Sequence, residues 1–112
     1  MAKDYLKYYF LEDYLFDEVR KDFKKRGFLT PEEFFCIIIW KSNRAKTAIK
    51  KKLLKSGNLR KTIKRLTSEI FHTRGNKQKL ELLIKFWKFS LPMATTILTV
   101  LYPKEFTIYD VR

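Results

Sequence analysis

Apolar side chains recur at spacings of three and four along much of the chain, which is typical of amphipathic helices. The first such stripe lies within residues 4–25 and ends before Gly27, a natural stop for a helix. It consists of Leu11, Leu15, Val19 and Phe23. The pattern therefore predicts a long first helix with one buried face.

The clearest helix start lies at Thr30, which precedes a proline and is followed three residues later by Glu33. A threonine and a glutamate at this spacing cap each other's backbone amides, and proline favours the first helical position. Residues 34–40 after this cap are all apolar. We expect the helix that they form to lie at the centre of the fold.

Further stripes complete the predicted architecture. Residues 43–55 and 59–70 each place an aliphatic edge opposite a basic one, and residues 77–89 and 93–102 predict two more helices. The aliphatic edge of the first of these segments consists of Ala45, Ala48, Ile49 and Leu53. The pattern predicts an all-α fold, with about six short helices in a single compact domain covering residues 1–112.

The positive charge of the chain is concentrated in its middle third. The formal net charge is +13, from 25 Lys and Arg against 12 Asp and Glu. Residues 34–68 carry eleven basic residues and no acidic one, whereas residues 1–33 sum to −1 and residues 69–112 to +3. Such a block attracts phosphate polymers or anionic lipid, so we expect nucleic acid or another polyanion as the partner, with DNA preferred to RNA. The alternative is a solvated lysine face that keeps the protein soluble.

The predicted nucleic-acid contacts are polar side chains on the two basic helices and in a turn downstream of them. They are Lys46, Lys50, Lys51, Arg60, Lys61, Lys64, Arg65, Lys88 and Ser90. Each neutralised phosphate releases counterions into solution. Four contacts would therefore give a slope of about −3.6 in a log–log plot of affinity against salt.

Residue types that build metal or catalytic sites are scarce. The single cysteine, Cys36, and the single histidine, His72, are far apart in sequence and form no metal-ligand pattern, so we expect neither a metal nor another cofactor. Cys36 lies within the apolar run, where a thiol packs as a small hydrophobic side chain. The chain also lacks a run of about 18 apolar residues and a secretory pattern at its N-terminus, which predicts a cytoplasmic protein.

The last third of the chain carries a longer motif. Residues 80–112 read LELLIKFWKFSLPMATTILTVLYPKEFTIYDVR, with Phe86 before a turn, the small Ala94 in the next helix and Asp110 after an apolar approach. This order resembles the core of the helix-hairpin-helix DNA glycosylase superfamily and is similar to bacterial proteins of that type. The resemblance implies a DNA-binding hairpin in this part of the fold and a catalytic carboxylate at Asp110.

The segment departs from the family pattern in the turn. Lys88 and Ser90 replace the two hairpin glycines, and the family's activating lysine has no counterpart. We therefore expect a DNA-binding protein that is not an enzyme by itself. One alternative is a DNA-repair enzyme that uses Asp110. Another is that Asp110 merely caps a helix or forms a salt bridge.

Aromatic residues are unusually dense near the N-terminus. They are Tyr5, Tyr8, Tyr9, Phe10, Tyr14 and Phe16. Aromatic rings in excess of one buried helix face can mark a partner surface, which predicts a protein-interaction or self-assembly module and a homo-oligomer. The alternative is that these rings fill the protein's own core.

Overall fold

The computed structural model describes residues 11–42 and 44–107, which form six helices and no strand. The helices are α1, with a π-helical part Tyr14–Val19 and an α-helical part Arg20–Arg26; α2, Pro31–Lys41; α3, Ala45–Leu54; α4, Leu59–His72; α5, with an α-helical part Asn76–Glu81 and a π-helical part Leu82–Phe86; and α6, Leu91–Leu101. The prediction of an all-α, single-domain fold is confirmed. The Cα radius of gyration is 13.5 Å, close to the value of about 13 Å expected for a compact domain of this size.

The predicted apolar stripe of α1 faces the core. Leu15, Val19 and Phe23 are fully buried. Gly27 ends the helix with a φ of 84°, and its amide donates a hydrogen bond of 2.7 Å to the carbonyl of Phe23. A Cβ at this position would lie 3.3 Å from the ring of Phe71, so both the backbone angle and the close packing favour glycine.

The predicted capping box forms at the start of α2. The Oγ1 of Thr30 accepts a hydrogen bond of 3.3 Å from the amide of Glu33, and the Oε1 of Glu33 accepts one of 2.9 Å from the amide of Thr30. Arg26 forms an ion pair with the buried Glu33 carboxylate. The end of α1 and the start of α2 are thereby joined.

The apolar helix α2 lies at the centre of the fold, as its sequence predicts. Phe34, Ile37 and Ile38 are fully buried, and the helix packs against α1, α3, α4 and α6. A buried hydrogen bond of 2.9 Å from the amide of Leu29 to the Oγ1 of Thr67 ties the loop before α2 to α4. These contacts hold the basic helices α3 and α4 against the central helix α2.

The two basic helices bury the aliphatic edges that the sequence predicts, except at one residue. Ile49 and Leu53 of α3 are buried, but Ala48 is exposed. Successive residues of a helix lie about 100° apart around its axis. Ala48 and Leu53 therefore lie on opposite sides of Ile49, and Ala48 lies away from the buried edge. The buried edge of α4 is as predicted, with Ile63, Leu66 and Ile70 fully buried.

Candidate nucleic-acid interface

Every side chain predicted to contact nucleic acid is exposed to solvent. These residues are Lys46, Lys50, Lys51, Arg60, Lys61, Lys64, Arg65, Lys88 and Ser90. Exposure follows from the burial of the aliphatic edges, because α3 and α4 turn their charged faces away from the core. We call the exposed faces of α3 and α4 the basic face.

One flank of the basic face borders a groove of about 310 Å³. Lys46 and Lys50 of α3 line it together with the side of α2, including Phe35 and Ile39. Glu32 also lines this groove, and its Oε1 lies 3.6 Å from a guanidinium nitrogen of Arg60. Both of these side chains are strongly exposed. This flank therefore combines cations with apolar surface.

The middle of the basic face is formed by α4. The Nζ of Lys64 lies 4.6 Å from the centre of the Phe28 ring, a cation–π contact. Within residues 11–42 and 44–107, no carboxylate lies within 4.0 Å of Lys61 or of Lys51 on α3. These two ammonium groups are available to an external anion.

The turn between α5 and α6 has an unusual backbone. Lys88 has a φ of 62°, and among the described residues it is the single non-glycine with a positive φ. The amide of Trp87 donates to the carbonyl of Leu82 at 3.1 Å, and the amide of Phe89 donates to that of Leu83 at 2.9 Å. Lys88 therefore occupies a left-handed position that usually favours glycine.

Ser90, another predicted contact, has a structural role in this turn. It is the N-cap of α6, and its Oγ accepts a hydrogen bond of 3.3 Å from the amide of Met93. The hydroxyl is therefore used within the chain. Among the described residues, neither the amide of Ser90 nor that of Lys88 donates to an intramolecular acceptor.

Lys52 connects the basic face with this turn. Its Nζ donates a hydrogen bond to the carbonyl of Lys88 and lies 5.0 Å from the centre of the Phe89 ring. Burial, and then the charge of Lys88, lower the pKa of Lys52. Lys52 was not among the residues predicted to contact nucleic acid, because the run of three lysines at 50–52 does not show which of them faces the turn.

Arg65 makes a second connection between the basic face and the end of α5. Its guanidinium lies 5.5 Å from the centre of the Trp87 ring and 5.8 Å from that of Phe86. The Oε2 of Glu69 accepts from the Nε of Arg65 at 3.3 Å, and its Oε1 accepts from the Nε1 of Trp87 at 3.0 Å. We call Arg65, Glu69, Phe86 and Trp87 the arginine–aromatic cluster.

The cysteine and histidine show no sign of an activated site. Burial, with a smaller effect of the Glu33 carboxylate, raises the pKa of the Cys36 thiol, and a protonated thiol is a poor nucleophile. His72 is exposed, with its Nδ1 2.9 Å from the carbonyl of Ser68. In the part of the chain that the structure describes, no three His, Cys, Asp or Glu residues are grouped to hold a metal ion.

The described N-terminal aromatic residues pack on the protein itself. Phe16 contacts Trp40 edge to face, with ring centres 5.5 Å apart, and Tyr14 is half-buried against the core. The remaining rings named above, at positions 5, 8, 9 and 10, lie outside the described residues. Self-assembly through this segment stays a prediction.

Comparisons with protein families, with curated proteins and with solved structures found no match to this chain. The resemblance to the helix-hairpin-helix superfamily therefore stays a prediction. Asp110, the carboxylate predicted to be catalytic, lies outside the described residues. Among the helices described, none has the length and apolar character needed to cross a membrane.

Proposed function

We propose that the protein binds DNA by neutralising backbone phosphates with the basic face and the turn at residues 86–90. The observation that carries this proposal is the contact of Lys52 with Lys88, which joins the acid-free block to the turn. The contact of Arg65 with Trp87 makes the same connection from α4. The cations therefore form one surface, as a polyanion requires.

The charge balance of this surface also supports the proposal. Arg60 pairs with Glu32, and both side chains are largely exposed. Exposed ion pairs contribute about 0–1 kcal/mol, so a phosphate can replace the carboxylate at little cost. A phosphate near Lys52 and Lys88 would in addition relieve the repulsion between two neighbouring ammonium groups.

The backbone of the turn offers a further type of contact. The amides of Lys88 and Ser90 are without an intramolecular acceptor among the described residues. Backbone amides are frequent donors to DNA phosphates and carry no sequence preference. They fit the DNA hairpin that the sequence resemblance implies.

The test is a fluorescence-anisotropy titration against labelled DNA at several salt concentrations. We expect a slope of about −3.6 or steeper for the wild type in a log–log plot of affinity against salt. The double substitution K51A/K61A removes two predicted phosphate contacts, so the slope should become shallower by about 1.8.

The matched control is K24A/K77A, which removes the same charge from exposed lysines outside the basic face. It should leave the slope nearly unchanged. Equal effects of the two double substitutions would show that net charge alone attracts DNA. A wild-type affinity that is independent of salt would contradict the proposal altogether.

A further inference from the structure

The ring of Phe86 is unusually open to solvent. It is 58% exposed, compared with 48% for Leu54 and 39% for Phe71, the other exposed large hydrophobic residues of the described chain. The preceding π-helical turn ends at Phe86. Its neighbour Trp87 is only 7% exposed, so the chain exposes the aromatic ring at the end of α5 and buries the one that follows.

The exposed ring lies beside a cation that is held in position. The guanidinium of Arg65 is 5.8 Å from the centre of the Phe86 ring, and its side chain is 59% exposed. Glu69 bonds to both Arg65 and Trp87, and Trp87 contacts Phe86 edge to face with ring centres 5.5 Å apart. Little ordering is then needed when a ligand binds, because these contacts already restrict both side chains.

An aromatic ring with an adjacent guanidinium suits one part of a nucleic acid in particular. Bases of a duplex already stack on their neighbours, whereas an unpaired base has a free π-face. Proteins that bind single strands combine such rings with cations that follow the backbone. Here the cations extend from Arg65 to Lys61, one helical turn away on the exposed face of α4.

We infer that Phe86 and Arg65 form a stacking platform for an unpaired base of single-stranded DNA, with Lys61 contacting the adjoining phosphate. This inference rests on the proposed DNA-binding function and specifies the form of DNA. It predicts that affinity depends on the bases at Phe86 and on the phosphates elsewhere on the basic face.

The test measures the affinities of the wild type and of Phe86→Ala for three DNA probes. The probes are a strand of about 12 thymidines, an abasic strand of the same length and a duplex of the same length. We expect Phe86→Ala to weaken binding of the thymidine strand by about tenfold, because that is the order of one lost stacking contact. Binding of the abasic strand and the duplex should stay within about twofold, since their contacts are with phosphates.

Two further variants separate stacking from other effects. Phe86→Trp keeps an aromatic face and should restore affinity for the thymidine strand. Gln78→Ala removes an exposed, uncharged side chain from α5, outside the basic face, and should change none of the three affinities. Circular dichroism of each variant confirms that the fold is retained.

The other outcomes would contradict either the stacking platform or the proposed DNA binding. Equal effects of Phe86→Ala on all three probes, or no effect on any, would overturn the stacking platform while leaving DNA binding intact. Absence of wild-type binding to every probe would overturn the proposed function itself.

Discussion

Lys52 and Lys88 are joined by a hydrogen bond from the ammonium of the first to the backbone carbonyl of the second. The contact connects α3 with the turn before α6, although the two side chains carry the same charge. Burial and this neighbouring charge lower the pKa of Lys52. The free energy of unfolding should therefore depend on pH in the alkaline range.

Lys88→Gly is expected to reduce this dependence. A lysine whose pKa is lowered by folding binds its proton less tightly in the folded than in the unfolded chain, so stability rises as the pH increases towards the ordinary lysine pKa. Removing the charge of Lys88 should raise the pKa of Lys52 and flatten that rise. Denaturant titrations of both proteins at neutral and alkaline pH measure the difference.

The backbone at position 88 provides the control for that variant. Glycine adopts the observed φ of 62° freely, so Lys88→Gly should leave stability at neutral pH unchanged or raise it by up to about 1 kcal/mol. Lys88→Val has the same loss of charge but a branched side chain, and should cost about 1–3 kcal/mol. Equal stability of the two variants would contradict the left-handed conformation.

Glu69 is expected to stabilise the fold more through its hydrogen bond with Trp87 than through its ion pair with Arg65. Glu69→Ala removes the acceptor of the Trp87 indole, and a lost partner of a largely buried donor costs about 1–3 kcal/mol. Glu69→Gln keeps an acceptor oxygen and loses only the ion pair with the exposed guanidinium of Arg65, a change of about 0–1 kcal/mol. Urea titrations of the two variants give the comparison, and similar losses would show that the ion pair dominates.

Two threonines with buried hydroxyls should respond differently to the same substitution. Thr67→Val leaves the amide of Leu29 without its acceptor and should cost about 1–3 kcal/mol. The hydroxyl of Thr99 is buried and has no hydrogen-bond partner within the described residues. Thr99→Val should therefore be neutral or stabilising. Thermal unfolding of both variants tests the pair, and a lower melting temperature for Thr99→Val would contradict it.

Tyr102 should contribute to alkaline unfolding. Burial, and to a smaller extent Glu105, raise the pKa of Tyr102 to about 12. The associated stability is fully present below the ordinary tyrosine pKa of about 10 and is lost as the pH rises through the folded value. Tyr102→Phe should lose less stability than the wild type over that range. Equal losses would indicate that other groups cause the alkaline unfolding.

Local signals account for the parts of the fold that the sequence predicts well. The Thr30–Glu33 capping box and the stop at Gly27 involve residues within one or two turns of each other, so spacing alone identifies them. The exposure of the lysines follows from the same helical periodicity. Ala48 shows the limit, because a small apolar residue at the edge of a stripe is compatible with either face.

The arginine–aromatic cluster depends on tertiary structure and could not be predicted in this way. Arg65 lies on α4 and Trp87 follows the end of α5, so their contact depends on how these parts of the chain come together in the fold. The π-helical turn before Phe86 also shifts side chains from the positions that a regular helix predicts. The contact of Lys52 with Lys88, 36 residues apart in sequence, also depends on tertiary structure.

The π-helical segment Leu82–Phe86 has a consequence for variation in chain length. Its turns close on the fifth residue instead of the fourth, so it holds one residue more than a regular helix would need. Deleting a residue here would restore regular geometry, whereas a deletion elsewhere in α5 would rotate part of its apolar stripe by about 100°. A relative with a shorter α5 could thus keep the same core and yet lose the exposed ring, so that the interior and the proposed binding surface would evolve separately at this point.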